Sequence, residues 1–169
     1  MNIFCTGNPQ KKSIAQSLGC DHASLSSGWN FHNIESLDRL RDLIVEYNVF
    51  VNCSYIGPGV QLNLLNLVID SWQEKDIKGH IINIGTTLEN NPDDSQYCQD
   101  KLKLRERSLE LSNETGLTGI KTTHIILGGI NDGKIENSDK VSTDAISSTI
   151  HWAVAQEFRV PLIQLDGVK

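Results

Sequence analysis

His80-Ile81-Ile82-Asn83-Ile84-Gly85, with Thr86-Thr87 behind it, decides how the chain reads. The run is rich in β-branched residues and stops at a glycine, which predicts a strand, the clearest in the chain. A polar loop from Glu89 to Ser95 follows, and then strong helix formers from about Gln96 to Thr115, with Gly116 as the expected stop. Ile120 to Leu127 is again β-rich and ends at Gly128-Gly129. Strand, helix and strand in that order predict a βαβ unit with a right-handed crossover.

The same alternation extends outward in both directions. Upstream stand a short strand Asn2-Ile3-Phe4-Cys5, the turn Thr6-Gly7-Asn8-Pro9, a helix from about Gln10 to Leu18 stopped by Gly19, and a second strand at Ala23-Ser24-Leu25. Ile34, Leu37, Leu40, Ile44 and Tyr47 recur at helical spacing behind a capping Ser36. Val49-Phe50-Val51 is a third strand, and Gly57-Pro58-Gly59 breaks the chain before a largely apolar helix from about Val60 to Trp72. Downstream, Asn131 to Lys140 reads as a loop, Ser142 or Thr143 opens a helix with the stripe Ile146, Ile150, Ala153 and Val154, and Val160 to Leu165 is a last strand. This pattern predicts an α/β fold: a Rossmann-like doubly wound parallel sheet in a single three-layer domain over residues 1–169.

Composition excludes several classes of function. A chain of 169 residues with 38% hydrophobic and 21% charged content has the make-up of one packed globular domain. Its net charge of -6, with basic residues clustered only at Lys11-Lys12 and between Lys101 and Arg107, offers no continuous surface to a phosphate backbone, so no nucleic acid is expected. The amino terminus lacks an apolar core segment and no apolar run is long enough to span a bilayer, which points to the cytoplasm and no membrane. Cys5, Cys20, Cys53 and Cys98 form no closely spaced pair and are read as reduced thiols, with no metal site.

In an open parallel sheet, ligands bind beyond the carboxyl ends of the strands. Thr6-Gly7, Asn52-Cys53-Ser54, Gly85-Thr86-Thr87 and Gly128-Gly129-Ile130 all fall there. The helix after the His80 strand opens with Tyr97-Cys98-Gln99-Asp100-Lys101, and a spacing of four places phenol and ammonium on one face. A nearby ammonium lowers a phenol's pKa, which suits a tyrosine that exchanges a proton with an alcohol or carbonyl near neutral pH. Thr86 is placed to bind the same substrate oxygen.

With these residues in view, the chain resembles the short-chain dehydrogenase/reductase family over nearly its whole length. Val49-Phe50-Val51-Asn52-Cys53-Ser54 is similar to the family's strand ending in Asn-Asn-Ala-Gly, and Ile82 to Thr86 to the strand ending in its catalytic serine. Tyr97 and Lys101 are similar to its Tyr-x-x-x-Lys pair, and Leu127 to Asp132 to its Pro-Gly-x-Val-x-Thr stretch beside the nicotinamide. Asp144-Ala145-Ile146 and Leu165-Asp166-Gly167 resemble its closing helix and strand.

The resemblance implies an NADP- or NAD-dependent oxidoreductase acting on a small carbonyl or alcohol substrate. Tyr97 would be the acid/base, Lys101 would hold the cofactor ribose and lower the tyrosine's pKa, and Thr86 would orient the substrate. Gly7, Asn8, Ser26, Asn52, Cys53, Ser54, Gly128 and Ile130 would line the cofactor. A homodimer or homotetramer is implied, with the helices of Tyr97 and Trp72 at subunit contacts.

The departures from the family pattern are specific. The glycine-rich turn appears as Thr6-Gly7-Asn8-Pro9-Gln10-Lys11-Lys12-Ser13 and keeps only its first glycine, so Lys11 and Lys12 stand where backbone would approach a pyrophosphate. No acid ends the second strand, where Leu25-Ser26-Ser27 stands, which tilts the expectation toward NADP. The family's further catalytic asparagine corresponds to Asn63 or Asn66. The missing glycines support an alternative, a catalytically impaired nucleotide-binding or regulatory/interaction protein on the same scaffold. Read without this context, Asn52 bonds backbone across the sheet, Lys101 to Arg107 form a solvated helix face, and His32, His80, His124 and His151 are structural.

Overall fold

The structure, a computed structural model of the chain, describes residues 1–9, 12–131 and 140–167. Strands β1 (Ile3–Thr6), β2 (Asp21–Ala23), β3 (Val49–Asn52), β4 (His80–Ile84) and β5 (Lys121–Leu127) are joined by helices α1 (Ile14–Leu18), α2 (Ile34–Ile44), α3 (Val60–Glu74), α4 (Gln96–Asn113) and α5 (Thr115–Thr118). The chain closes with a short parallel pair, β6 (Ile130–Asn131) and β7 (Val141–Ser142), then α6 (Thr143–Ala155) and β8 (Leu162–Leu165).

The main sheet is parallel throughout and runs β2-β1-β3-β4-β5-β8. Strand order reverses beside β1, so the loops after β1 and β3 flank the switch point where ligands bind in such sheets. The usual dinucleotide-binding arrangement carries a further strand outside the one equivalent to β2; here β2 is the edge.

Period-two alternation in the strands builds two apolar layers. Phe4, Phe50 and Ile81 pack under α2, α3 and α4 with Leu40, Leu64, Trp72 and Leu104. Ile3, Cys5, Val49, Val51 and Ile82 face α1 and α6 with Ile14, Ile146 and Ile150. Helices on both faces of one sheet are the expected three-layer, doubly wound architecture.

Local boundaries differ from the sequence reading where polar groups find other partners. The second strand ends at Ala23, because Ser24 opens a tight turn over Leu25–Ser27 that Ser27 closes with its own hydroxyl. Asn33 precedes α2 in place of Ser36, whose hydroxyl accepts the Asn30 N–H. Helix α4 ends at Asn113, and Gly116 lies inside the added turn α5, which Gly119 terminates at φ 71°. The stretch expected as a loop after β5 opens and closes with β6 and β7. Gln10 and Lys11, at the expected start of the first helix, lie outside the described residues, as do residues 132–139.

Trp72 is wholly buried with its indole N–H on the Ile44 carbonyl, so its side chain serves the core. Among the described residues no helix is long and apolar enough to cross a membrane.

Candidate active site

Strand β4 delivers Thr86 to the carboxyl edge, where it caps a tight turn over Thr87–Asn90. Its hydroxyl oxygen accepts the Leu88 N–H at 3.5 Å, while the Thr86 N–H donates to Glu89 Oε1 at 2.8 Å. The polar loop expected from Glu89 therefore begins with a capping box, and Glu89 itself is buried. Ser95 caps the start of α4, which brings Tyr97 and Lys101 back over the end of β4.

Tyr97 is half-buried, and its phenol pKa is pushed up, first by burial and then by the charge of Glu89; a hydrogen bond from Thr86 pulls the other way. This corrects the expectation that Lys101 lowers it. The Lys101 ammonium does share the tyrosine's face, 5.5 Å from its ring centroid, but it turns inward and donates to the Ile84 carbonyl at 2.7 Å. Lys101 is only 3% exposed, which also corrects its reading as part of a solvated face. Burial lowers its pKa to about 8.

The sign of that displacement sets a testable pH dependence. Between about pH 8 and the ordinary lysine value the unfolded chain holds a proton that the folded chain lacks, so the contribution of Lys101 to stability rises with pH. The full displacement corresponds to roughly 3 kcal/mol. Urea unfolding of the parent and Lys101→Met across this window should show the parent gaining on the variant as pH rises; parallel curves would contradict a desolvated ammonium.

Tyr55, in the loop after β3, covers the pair. Its ring meets Tyr97 edge-on at 4.7 Å, and its hydroxyl donates to Asp100 Oδ2 at 3.2 Å, a carboxylate that also accepts the Gly59 N–H at 3.0 Å. Asn52 is fully buried and gives its amide protons to the Gln61 carbonyl and to Asn83 Oδ1, so it binds neighbouring chain rather than facing the crevice. Gln61 is the buried amide at the start of α3, with Nε2 on the Asn52 carbonyl; Asn63 is exposed and Asn66 half-buried.

The remaining positions lie along the same edge. Thr6 accepts the N–H groups of Cys53 and Ser54 at 3.0 and 3.3 Å, tying the β3 loop to β1. Gly7 donates to the Ala23 carbonyl, and Asn8 accepts from the Ser26 hydroxyl at 3.4 Å, so the turns after β1 and β2 meet. The Cys53 thiol, beside Gly7, has its pKa lowered by a hydrogen bond from Cys5 and by the charge of Lys101. Lys12 is exposed with φ 60°. Gly128 donates to the Leu165 carbonyl and packs so tightly on Asp166 that a side chain there would overlap it, while Ile130 pairs with Val141.

Sequence reasoning missed Glu89, Tyr55, Asp100 and Gln61. The Thr86-x-x-Glu89 spacing was the available signal for the first; nothing in the sequence marked the others.

No protein-family model and no curated protein matches the chain. Solved structures do. A short-chain dehydrogenase from Bacillus anthracis superposes with a TM-score of 0.75 at 14% identity, covering 98% of this chain and 95% of that one. One from Leptospira borgpetersenii, solved with bound NAD+, gives 0.72 at 14% identity over 98% and 91%. The closed form of a serine dehydrogenase complexed with NADP+ gives 0.68 at 17% identity over 98% and 84%. Likeness across nearly the full length at such low identity is a statement about architecture: the chain has the fold of the short-chain dehydrogenases.

Proposed function

We propose that the chain is a nicotinamide-dinucleotide-dependent oxidoreductase that interconverts a small carbonyl compound and its alcohol. The observation that carries this reading is the joining of Thr86, Tyr97 and Lys101 at the carboxyl edge of β4, with the ammonium 5.5 Å from the tyrosine's ring and the Thr86 side chain lowering the phenol's pKa. Tyr97 is the proton donor or acceptor, Thr86 turns its one hydroxyl proton from the phenol to the substrate oxygen when substrate binds, and Lys101 supplies positive charge beneath both.

The crevice carries polar groups from the Asn8–Ser26 contact to Thr86, which suits an extended polar ligand. Gly7, Asn8 and Ser26 would hold its phosphate and ribose end, and Cys53, Ser54, Gly128 and Ile130 its nicotinamide end. When bound, the dinucleotide supplies or takes up the hydride. The neighbours solved with NAD+ and with NADP+ support the class of cofactor, and Ser26 in place of an acid after β2 favours NADP. The Tyr55 ring covers one side of the Tyr97 ring, edge-on at 4.7 Å. That cover, together with the inward-turned Lys101, favours a second reading, a nucleotide-binding regulatory protein without turnover.

A thermal-shift titration with NADP, NADPH, NAD and NADH tests the first step, because a ligand bound only by the folded state raises the unfolding temperature with the logarithm of its concentration. A saturable shift, largest for an NADP form, followed by NADPH consumption with a panel of small carbonyls, supports the oxidoreductase. A shift with no consumption supports the second reading, and no shift with any nucleotide removes both.

A further inference from the structure

Glu89 and His124 are wholly buried, and the chemistry proposed above uses neither. Glu89 Oε2 lies 2.9 Å from His124 Nε2, and the other carboxylate oxygen accepts the Thr86 N–H. His124 stands in the middle of β5 with its ring against Gly85 at the end of β4, and His124 Nδ1 has no partner among the described residues. Gly85 makes the arrangement possible, since a side chain there would overlap Glu89 Oε1 and His124 Nε2. A surface cap needs no such support, and burying a carboxylate is costly unless it is paired.

The consequence falls on Thr86. In the capping box its hydroxyl oxygen accepts backbone N–H groups of the turn, which leaves its one proton for another acceptor. The Tyr97 phenol, whose pKa the Thr86 side chain lowers, is the acceptor available to it. Facing the phenol are the Thr86 hydroxyl and Glu89 from the turn, Cys98 on its own helix, the Tyr55 ring from the β3 loop, and the Lys101 ammonium beneath.

We propose that Glu89 and His124 act together as positioning residues, holding the Thr86 hydroxyl as a donor toward the Tyr97 phenol and keeping a carboxylate charge beside it. Histidine fixes the carboxylate, the carboxylate fixes the backbone of Thr86, and the turn fixes the hydroxyl. The relevance of this pair to turnover rests on the oxidoreductase reading; its effect on the phenol does not.

The test follows the ionisation of Tyr97 by NMR of protein labelled at tyrosine Cζ, with the resonance assigned by its loss in Tyr97→Phe. Glu89→Gln keeps an oxygen for the Thr86 N–H but removes the charge, and should move the ionisation to lower pH while the thermal unfolding transition stays cooperative. Thr86→Val should move it to higher pH in the parent. That increment should vanish in Glu89→Leu/His124→Leu, where an apolar pair leaves no orphaned charge and no grip on the turn. If turnover is present, Glu89→Gln should lower kcat about tenfold with KM little changed, as expected when an interaction of the transition state is lost.

An unmoved ionisation in Glu89→Gln, or an undiminished Thr86→Val increment in the double variant, would overturn the proposal and leave the pair a purely structural one. The stated shifts without any turnover would keep the positioning pair and remove the oxidoreductase. Turnover with unmoved ionisation would do the reverse.

Discussion

Tyr97→Phe should abolish measurable reduction of any carbonyl the protein accepts, a loss of at least about 100-fold, the ordinary contribution of a positioned general acid or base. The substitution removes one oxygen and leaves the ring that meets Tyr55 at 4.7 Å. Because that edge-on contact and the ring's position above Lys101 remain, the unfolding temperature should change by only a few degrees. Nucleotide binding, read from the thermal shift, should survive. The raised phenol pKa fits the direction in which the tyrosine serves as an acid, because it stays protonated through neutral pH. Turnover equal to the parent would take Tyr97 out of the mechanism, and the case built on Thr86 and Lys101 with it.

Gly85→Ala should destabilise the fold by roughly 3 kcal/mol, the scale of forced overpacking against a buried, paired charge. For a chain of this size that is a fall of about 6–12 °C in Tm. The cause is space rather than conformation: an added Cβ overlaps Glu89 Oε1 and His124 Nε2 and lies 2.9 Å from His124 Cε1. The two partners cannot step aside, since one holds Thr86 and the other sits inside β5. A large part of the penalty should disappear in the Glu89→Ala/His124→Ala background, where the space is vacated. Gly7→Ala provides the contrast, because a Cβ there meets Ala15 at 3.7 Å and two sulfurs at 3.9 Å, which is ordinary contact. A Gly85→Ala protein that melts within about 2 °C of the parent would contradict the packing around the buried pair.

These two positions show how far the sequence could be read. Tyr97 was legible because a motif is a local object: four residues of helix place phenol and ammonium on one face whatever else the chain does. Gly85 was legible only as a strand end. Its real constraint comes from Glu89 and His124, which stand 35 positions apart and meet through the pairing of β4 with β5. Gly7, the surviving glycine of the recognised turn, turns out to have room for a side chain. On α3 it is Gln61, in the first turn, that bonds the buried amide of Asn52, while Asn63 is exposed and Asn66 half-buried.

The alternation of apolar runs fixed the order of strands and helices, and with right-handed crossovers that order left little freedom in the sheet. Spacing alone also put Thr86, Tyr97 and Lys101 at one edge. Tertiary structure decided the electrostatics. Whether a phenol's pKa rises or falls, and whether an ammonium faces a crevice or a carbonyl, depends on which distant groups exclude water around it. The lysine that the sequence offered to a ligand bonds Ile84, a loop tyrosine packs edge-on against the ring of Tyr97, and a carboxylate expected in a solvated loop lies in the core with a histidine. Local pattern sets the scaffold because secondary structure follows from neighbours in sequence; charge and proton affinity follow from neighbours in space.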